Sequence, residues 1–198
     1  LGVSFGWYFT NGTGDLNGDG VGDFFASDVY HQEQGANTGK VYVFSGVDGA
    51  PLYELGGDIA GANFGVGHPV LPDLDGDGVN ELFFGAWADS TAANTGGAAT
   101  LFSGASGASM GRWTGSVAGV LFAGDVATLG DLDGDGWPEL LISSPWANGQ
   151  RGMNYVYSTR VLPPSQVCAG EPNSTGVPAE LSYRKSISLA QNNFRLRI

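Results

Sequence analysis

Asp73-Leu74-Asp75-Gly76-Asp77-Gly78, with the apolar run Leu82-Phe83-Phe84 close behind it, is the stretch on which the fold turns. Carboxylates at every second position of a glycine turn repel one another unless something holds them. The same device occurs twice more, as Gly14-Asp15-Leu16-Asn17-Gly18-Asp19-Gly20 and as Asp131-Leu132-Asp133-Gly134-Asp135-Gly136. The leading aspartates Asp15, Asp73 and Asp131 are spaced by 58 residues and again by 58. A fixed period of this length is the mark of a repeat architecture.

Outward from these loops the same order of elements returns. Phe64-Gly65 precedes the second loop by nine residues, Phe122 the third by nine, and Phe5-Gly6 the first by ten. After each loop stands an apolar run, Phe24-Phe25-Ala26, Leu82-Phe83-Phe84 and Leu140-Leu141-Ile142. A second run follows, Val41-Tyr42-Val43-Phe44-Ser45-Gly46, Thr100-Leu101-Phe102-Ser103-Gly104 and Tyr155-Val156-Tyr157-Ser158, and a last strand is evident in Pro51-Leu52-Tyr53-Glu54-Leu55 and Met110-Gly111-Arg112-Trp113. Each unit therefore predicts four short strands, the make-up of a β-propeller blade. An array of independent hairpins is the alternative, but consecutive apolar residues call for sheets buried on both faces, as stacked blades are. The expected blades span about 3–56, 62–114 and 120–160 within a repeat region 1–162. Residues 163–198 are expected to form a linker and the start of a small C-terminal β module.

Composition agrees with an all-β chain. Of 198 residues, 34 are glycine and only 8 are Lys or Arg, which suits short strands and tight turns rather than helical surfaces. No apolar run reaches the roughly eighteen residues of a membrane-spanning helix. The formal net charge of −12 excludes nucleic acid and anionic membrane surfaces as partners, since both require clustered basic residues. Eleven of the 20 acidic residues lie inside the three loops, so the charge is concentrated where a cation would neutralise it. Cys168 is the one cysteine, and no internal disulfide can form. The chain begins at Leu1 and ends on the alternation Phe194, Leu196, Ile198. Both ends read as cut, with an export signal and further blades expected outside these residues.

With its order of elements the chain resembles the FG-GAP repeat, the blade of integrin α-subunit propellers and of many secreted bacterial proteins. Phe64-Gly65, the Asp-x-Asp-x-Asp-Gly loop, Gly85-Ala86 and Val41-Tyr42-Val43-Phe44-Ser45-Gly46 carry the resemblance, which covers about residues 3–160. Departures are Phe122-Ala123 in place of Phe-Gly, and Ala26-Ser27-Asp28, Gly85-Ala86-Trp87 and Ser143-Ser144-Pro145 at the Gly-Ala-Pro element. The resemblance implies an extracellular or cell-surface scaffold that binds calcium and recognises proteins.

The loops support calcium on their own chemistry. Calcium takes six to eight oxygens, and carboxylates at alternate positions around a sharp glycine turn deliver them. Positions 1, 3 and 5 are Asp15, Asn17 and Asp19, then Asp73, Asp75 and Asp77, then Asp131, Asp133 and Asp135. The glycine at position 6 lets the backbone fold back so that the carbonyl of position 7, Val21, Val79 or Trp137, can face the ion. Position 9 is acidic in every copy: Asp23, Glu81 and Glu139. About three calcium ions are expected, one per repeat, with loop 1 weakest because Asn17 replaces an acid. An EF-hand is excluded, since its position 12 needs a bidentate Glu and these loops offer Ala26, Phe84 and Ile142. Ion-free turns are the plain alternative, as Asp and Gly favour turns for local reasons, but turn chemistry does not require acids at 1, 3, 5 and 9 together. Magnesium demands strict octahedral geometry with retained waters, and zinc lacks its His and Cys. His31 and His68 stand at unmatched positions and are expected to be packing or surface residues.

Catalysis is not expected. Gly107-Ala108-Ser109-Met110-Gly111 matches a nucleophile elbow, yet no His follows it, and it aligns with the turn Gly49-Ala50-Pro51 of the first copy. Glu33, Asp58, Asp89 and Asp125 show no spacing of a glycosidase pair. Trp87, Trp146 and more loosely Tyr30 follow the second strand, where they either pack between blades or stack on a sugar ring. From Pro163-Pro164 the repeat stops; Ser186-Ile187-Ser188-Leu189 alternates as a strand of the further module, and Asn173-Ser174-Thr175 is formally a glycosylation sequon. The leading function is a calcium-stabilised scaffold for extracellular protein or cell-surface recognition, with a glycan-binding lectin or a non-catalytic appendage of a secreted enzyme as alternatives. Three blades alone leave open faces, so self-association is expected.

Overall fold

A strand that carries apolar residues on both faces needs a neighbouring layer on each side, and in every repeat the strand leaving the Asp-rich loop sits inside its sheet. The computed structural model describes residues 4–6, 9–57, 59–67 and 70–160, together with the backbone of 184–187. The first sheet runs β1 (Thr10–Gly14), β2 (Asp23–Asp28), β3 (Lys40–Phe44), β4 (Pro51–Leu55) in spatial order. In the second, β5 (Phe64–Val66) and β6 (Val70–Leu71) both pair with β7 (Glu81–Ala86), followed by β8 (Ala98–Phe102) and β9 (Ser109–Thr114). The third is β10 (Val126–Gly130), β11 (Glu139–Ser144), β12 (Met153–Ser158) and β13 (Arg184–Ile187). All ladders are antiparallel, and the register repeats: Phe25 opposes Val43, Phe83 opposes Leu101, Leu141 opposes Val156.

Packing explains the consecutive apolar residues. Phe25, Val41 and Val43 of the first sheet meet Phe64, Leu82 and Phe84 of the second in one core. Phe83, Leu101 and Trp113 of the second meet Phe122, Leu140 and Ile142 of the third in another. Leu82, Phe83 and Phe84 are all fully buried because neighbours in sequence face opposite gaps. Each such side chain contributes about 1.5–3 kcal/mol. The sheets are blades of an incomplete β-propeller, held in an open row by these two cores.

Backbone contacts fix the spacing between blades. Phe64 donates its N–H to the Thr38 carbonyl at 3.1 Å, and Phe122 donates to Gly96 at 2.9 Å. A Cβ added to Gly39 would lie 2.2 Å from the Phe64 backbone, and one on Gly97 would lie 1.8 Å from the Phe122 carbonyl oxygen. Only glycine permits that approach.

The structure differs from the sequence reading in two elements. The second blade's first strand is split into β5 and β6. The alternating segment assigned to a further module supplies Arg184–Ile187, which pairs with β12 as the outer strand of the third blade. Among the described residues no strand lies between β12 and β13, and the free hydrogen-bonding edge of β12 takes up this extended segment. Asp58, His68, Cys168 and the sequon at 173–175 lie outside the described residues.

Candidate metal centre

Each Asp-rich loop wraps around its own first carboxylate. Asp15 accepts N–H groups from Gly18 at 2.7 Å, Asp19 at 3.1 Å and Gly20 at 2.8 Å. Asp73 accepts from Gly76 at 2.6 Å and Gly78 at 2.8 Å, and Asp131 from Gly134 at 2.7 Å, Asp135 at 3.2 Å and Gly136 at 2.9 Å. These bonds favour the ionised form and hold all three carboxyls below their ordinary range, the N–H groups of Gly20, Gly78 and Gly136 contributing most. Position 5 closes the turn: Asp19, Asp77 and Asp135 accept from the N–H of Val21 at 2.8 Å, Val79 at 2.8 Å and Trp137 at 2.9 Å.

Position 9 is where the loop joins the sheet. Asp23, Glu81 and Glu139 open β2, β7 and β11 and are buried despite their charge. One oxygen of each accepts the N–H of position 2: Leu16 at 2.7 Å, Leu74 at 2.9 Å and Leu132 at 2.7 Å. In loop 1 the other oxygen of Asp23 accepts from Gly46 at 3.0 Å. In loops 2 and 3, Glu81 Oε2 and Glu139 Oε1 are buried with no hydrogen-bond partner. Burial pushes the Glu81 carboxyl up to about 7, and the Asp75 and Asp73 charges add to the shift. Glu139 is raised for the same reason, with Asp133, Asp135 and Asp131 beside it.

Acids from different parts of the loop converge on these glutamates. Asp73, Asp75 and Glu81 bring one carboxylate oxygen each to within 4.8 Å of one another, and so do Asp131, Asp133 and Glu139. A buried unpaired carboxylate oxygen among like charges is unfavourable. A hard divalent cation among the clustered carboxylates would cancel the repulsion, so the donor set fits an oxygen-ligated metal. Of the residues expected from sequence, positions 1, 3 and 9 thus come together in loops 2 and 3. Asp77 and Asp135 lie outside these clusters, and Arg160 Nη1 stands 3.5 Å from Asp135 Oδ2. In loop 1, among the described residues, no three acidic side chains converge in this way; Asn17 occupies position 3 there.

Sequence reasoning passed over the leucine at position 2, whose N–H anchors the position-9 acid. Its signal was present, as Leu16, Leu74 and Leu132 repeat with the loops. His31 belongs to another network, with Nε2 3.2 Å from Glu33 and Nδ1 3.5 Å from Asp28. Ser109 opens the strand β9, so the strand–turn–helix order of a nucleophile elbow is not met. Trp146 is 56% exposed, while Tyr30 and Trp87 are half-buried.

The FG-GAP repeat family matches residues 122–159, from Phe122 through the third loop to the end of β12. The chain carries the FG-GAP repeat of the integrin α-like β-propeller family. Integrin alpha-4 of Xenopus laevis is 32% identical over 152 residues, covering 71% of this FG-GAP chain and 14% of that protein. Integrin alpha-5 of Xenopus laevis is 27% identical over 190 residues, covering 82% of the chain and 18% of that protein. The FG-GAP chain spans less than a fifth of either relative.

Proposed function

We propose that this chain is a non-catalytic, calcium-stabilised propeller scaffold that presents its loops for extracellular protein or cell-surface recognition. The observation that carries the calcium reading is the convergence of one carboxylate oxygen each from Asp73, Asp75 and the buried Glu81, and likewise from Asp131, Asp133 and the buried Glu139. Asp73, Asp75, Asp77 and Glu81 with the Val79 carbonyl would hold one ion, and Asp131, Asp133, Asp135 and Glu139 with the Trp137 carbonyl a second. Asp15, Asn17, Asp19, Asp23 and the Val21 carbonyl would hold a third, weaker one, because Asn17 stands where the other loops carry an acid. Six to eight oxygens at flexible loops suit calcium better than magnesium. The likeness to two integrin α chains supports protein recognition outside the cell.

A second reading, glycan binding, is favoured by Trp146. It follows the far end of β11, whereas the metal loop precedes that strand, so six residues, about 20 Å, separate the two rims. Protein and glycan arrays probed with the calcium-loaded chain separate the readings: protein hits support the first, and sugar hits alone replace it with the second. A hydrolytic activity that copurifies with the chain and disappears with one substitution outside the three loops would overturn the non-catalytic assignment. Calcium titration by calorimetry tests the metal itself, and absence of any binding sinks the scaffold reading in its calcium form.

A further inference from the structure

The strand that feeds the first Asp-rich loop is held by a side chain of the second loop. Asn80 stands between Val79 and Glu81, positions 7 and 9 of loop 2, and its Nδ2 donates to the Thr13 carbonyl at 3.2 Å. Thr13 and Gly14 lead directly into Asp15, position 1 of loop 1. The β1–β2 register shifts between Gly12 and Gly14, which makes Thr13 the extra residue of a β-bulge. A bulged residue is left out of its ladder, so its carbonyl can take a partner from another blade. Gly14 completes the fit. It has φ 81°, and a Cβ there would stand 2.8 Å from Asn80 Nδ2.

A second contact crosses the same junction in the opposite direction. Leu16, position 2 of loop 1, is buried in the core that it shares with Leu82 and Phe84 of the second blade. A Cβ on Gly104, in the turn after β8, would lie 2.9 Å from Leu16 Cδ2 and 1.8 Å from the Asn80 carbonyl oxygen. Leu16 and Asn80 thus meet one glycine from two blades. At the next junction the apolar half of this arrangement returns, since Leu74 packs on the core between the second and third blades. The polar half does not. Position 8 of loop 3 is Pro138, which has neither a side-chain amide nor an N–H to donate.

We propose that Asn80 is a positioning residue that couples the cation sites of loops 1 and 2, so that filling either tightens the other, while loop 3 stands outside this pair. The inference rests on the calcium reading above. Val79 and Glu81 flank Asn80 and belong to the ligand set proposed for loop 2, so ordering them orders the amide between them. Through the Thr13 carbonyl the same order reaches the backbone that delivers Asp15. A site whose approach is already ordered loses less conformational freedom on binding, which is positive cooperativity without any change of fold.

Calcium titration of the whole 198-residue chain by NMR reads each loop separately, through the amides of Gly18 and Gly20, Gly76 and Gly78, and Gly134 and Gly136. Asp75→Ala, which empties loop 2, is expected to weaken calcium binding at loop 1 about fivefold, the reach of one neutral hydrogen bond. Asp15→Ala is expected to weaken loop 2 by the same factor, because coupling between two sites is reciprocal. Asp133→Ala, which empties loop 3, is expected to leave the loop 1 titration where it was. The deciding variants are Asn80→Ala and the bulkier Asn80→Leu. In both, loops 1 and 2 still fill, and adding Asp75→Ala no longer weakens loop 1. If Asn80 serves only to hold the blades together, its loss lowers the melting temperature but keeps the fivefold effect of Asp75→Ala, and the proposal is overturned. Loops 1 and 2 that fill independently in the wild type overturn it as well, with the calcium reading intact. A chain that takes up no calcium at any loop refutes that reading, and this inference with it.

Discussion

In Glu81→Gln the Leu74 N–H keeps an acceptor, while the carboxylate that clusters with Asp73 and Asp75 is lost. Calorimetry is expected to count one calcium fewer than in the wild type. Stability in EDTA is expected to fall by no more than about 1 kcal/mol, because Glu81 Oε2 has no hydrogen-bond partner to lose. Asp75→Ala and Asp133→Ala are each expected to remove one ion, as position 3 has no substitute acid in the cluster. Unchanged stoichiometry in both reduces the loops to turns. At this scale the alternate acids were legible because loop chemistry is written in adjacent residues. The burial of Glu81 was not, since it depends on the sheet that the residue enters. Nor does any local pattern announce that the Gly46 N–H, from the turn after β3, donates to Asp23.

Between elements, the glycines before β3 and β8 are the sensitive points. Gly97→Ala would press a Cβ to 1.8 Å from the Phe122 carbonyl oxygen, and Gly39→Ala to 2.2 Å from the Phe64 backbone. Each is expected to cost about 3 kcal/mol or more in urea unfolding, as strain at positive φ adds to a clash that side chains cannot relieve. Gly76→Ala, also at positive φ but with nothing within 4 Å, is expected to cost about 1 kcal/mol. Equal costs at Gly76 and Gly97 contradict the junction geometry. The strands were legible from paired apolar runs and their even spacing. The split of β5 from β6 was not, and the pairing of β13 with β12 was not because a ladder across a long sequence separation leaves no local trace.

For the whole molecule, an ion bound only by the folded state raises stability by mass action, about 2.7 kcal/mol when calcium is a hundredfold above its dissociation constant. In a chain of 198 residues that corresponds to roughly 5–10 °C in melting temperature over EDTA, with magnesium giving a smaller rise. Equal melting in calcium and EDTA refutes the cation's structural role. The blade junction has a consequence of another kind. Since each contact sets one Phe backbone on one glycine, a unit of 58 residues carries both halves of its own interface. Tandem duplication or deletion of such a unit in a gene leaves every surviving junction chemically unchanged. Descendants can therefore gain or lose blades without inventing a contact, and the limit on their number is circumference.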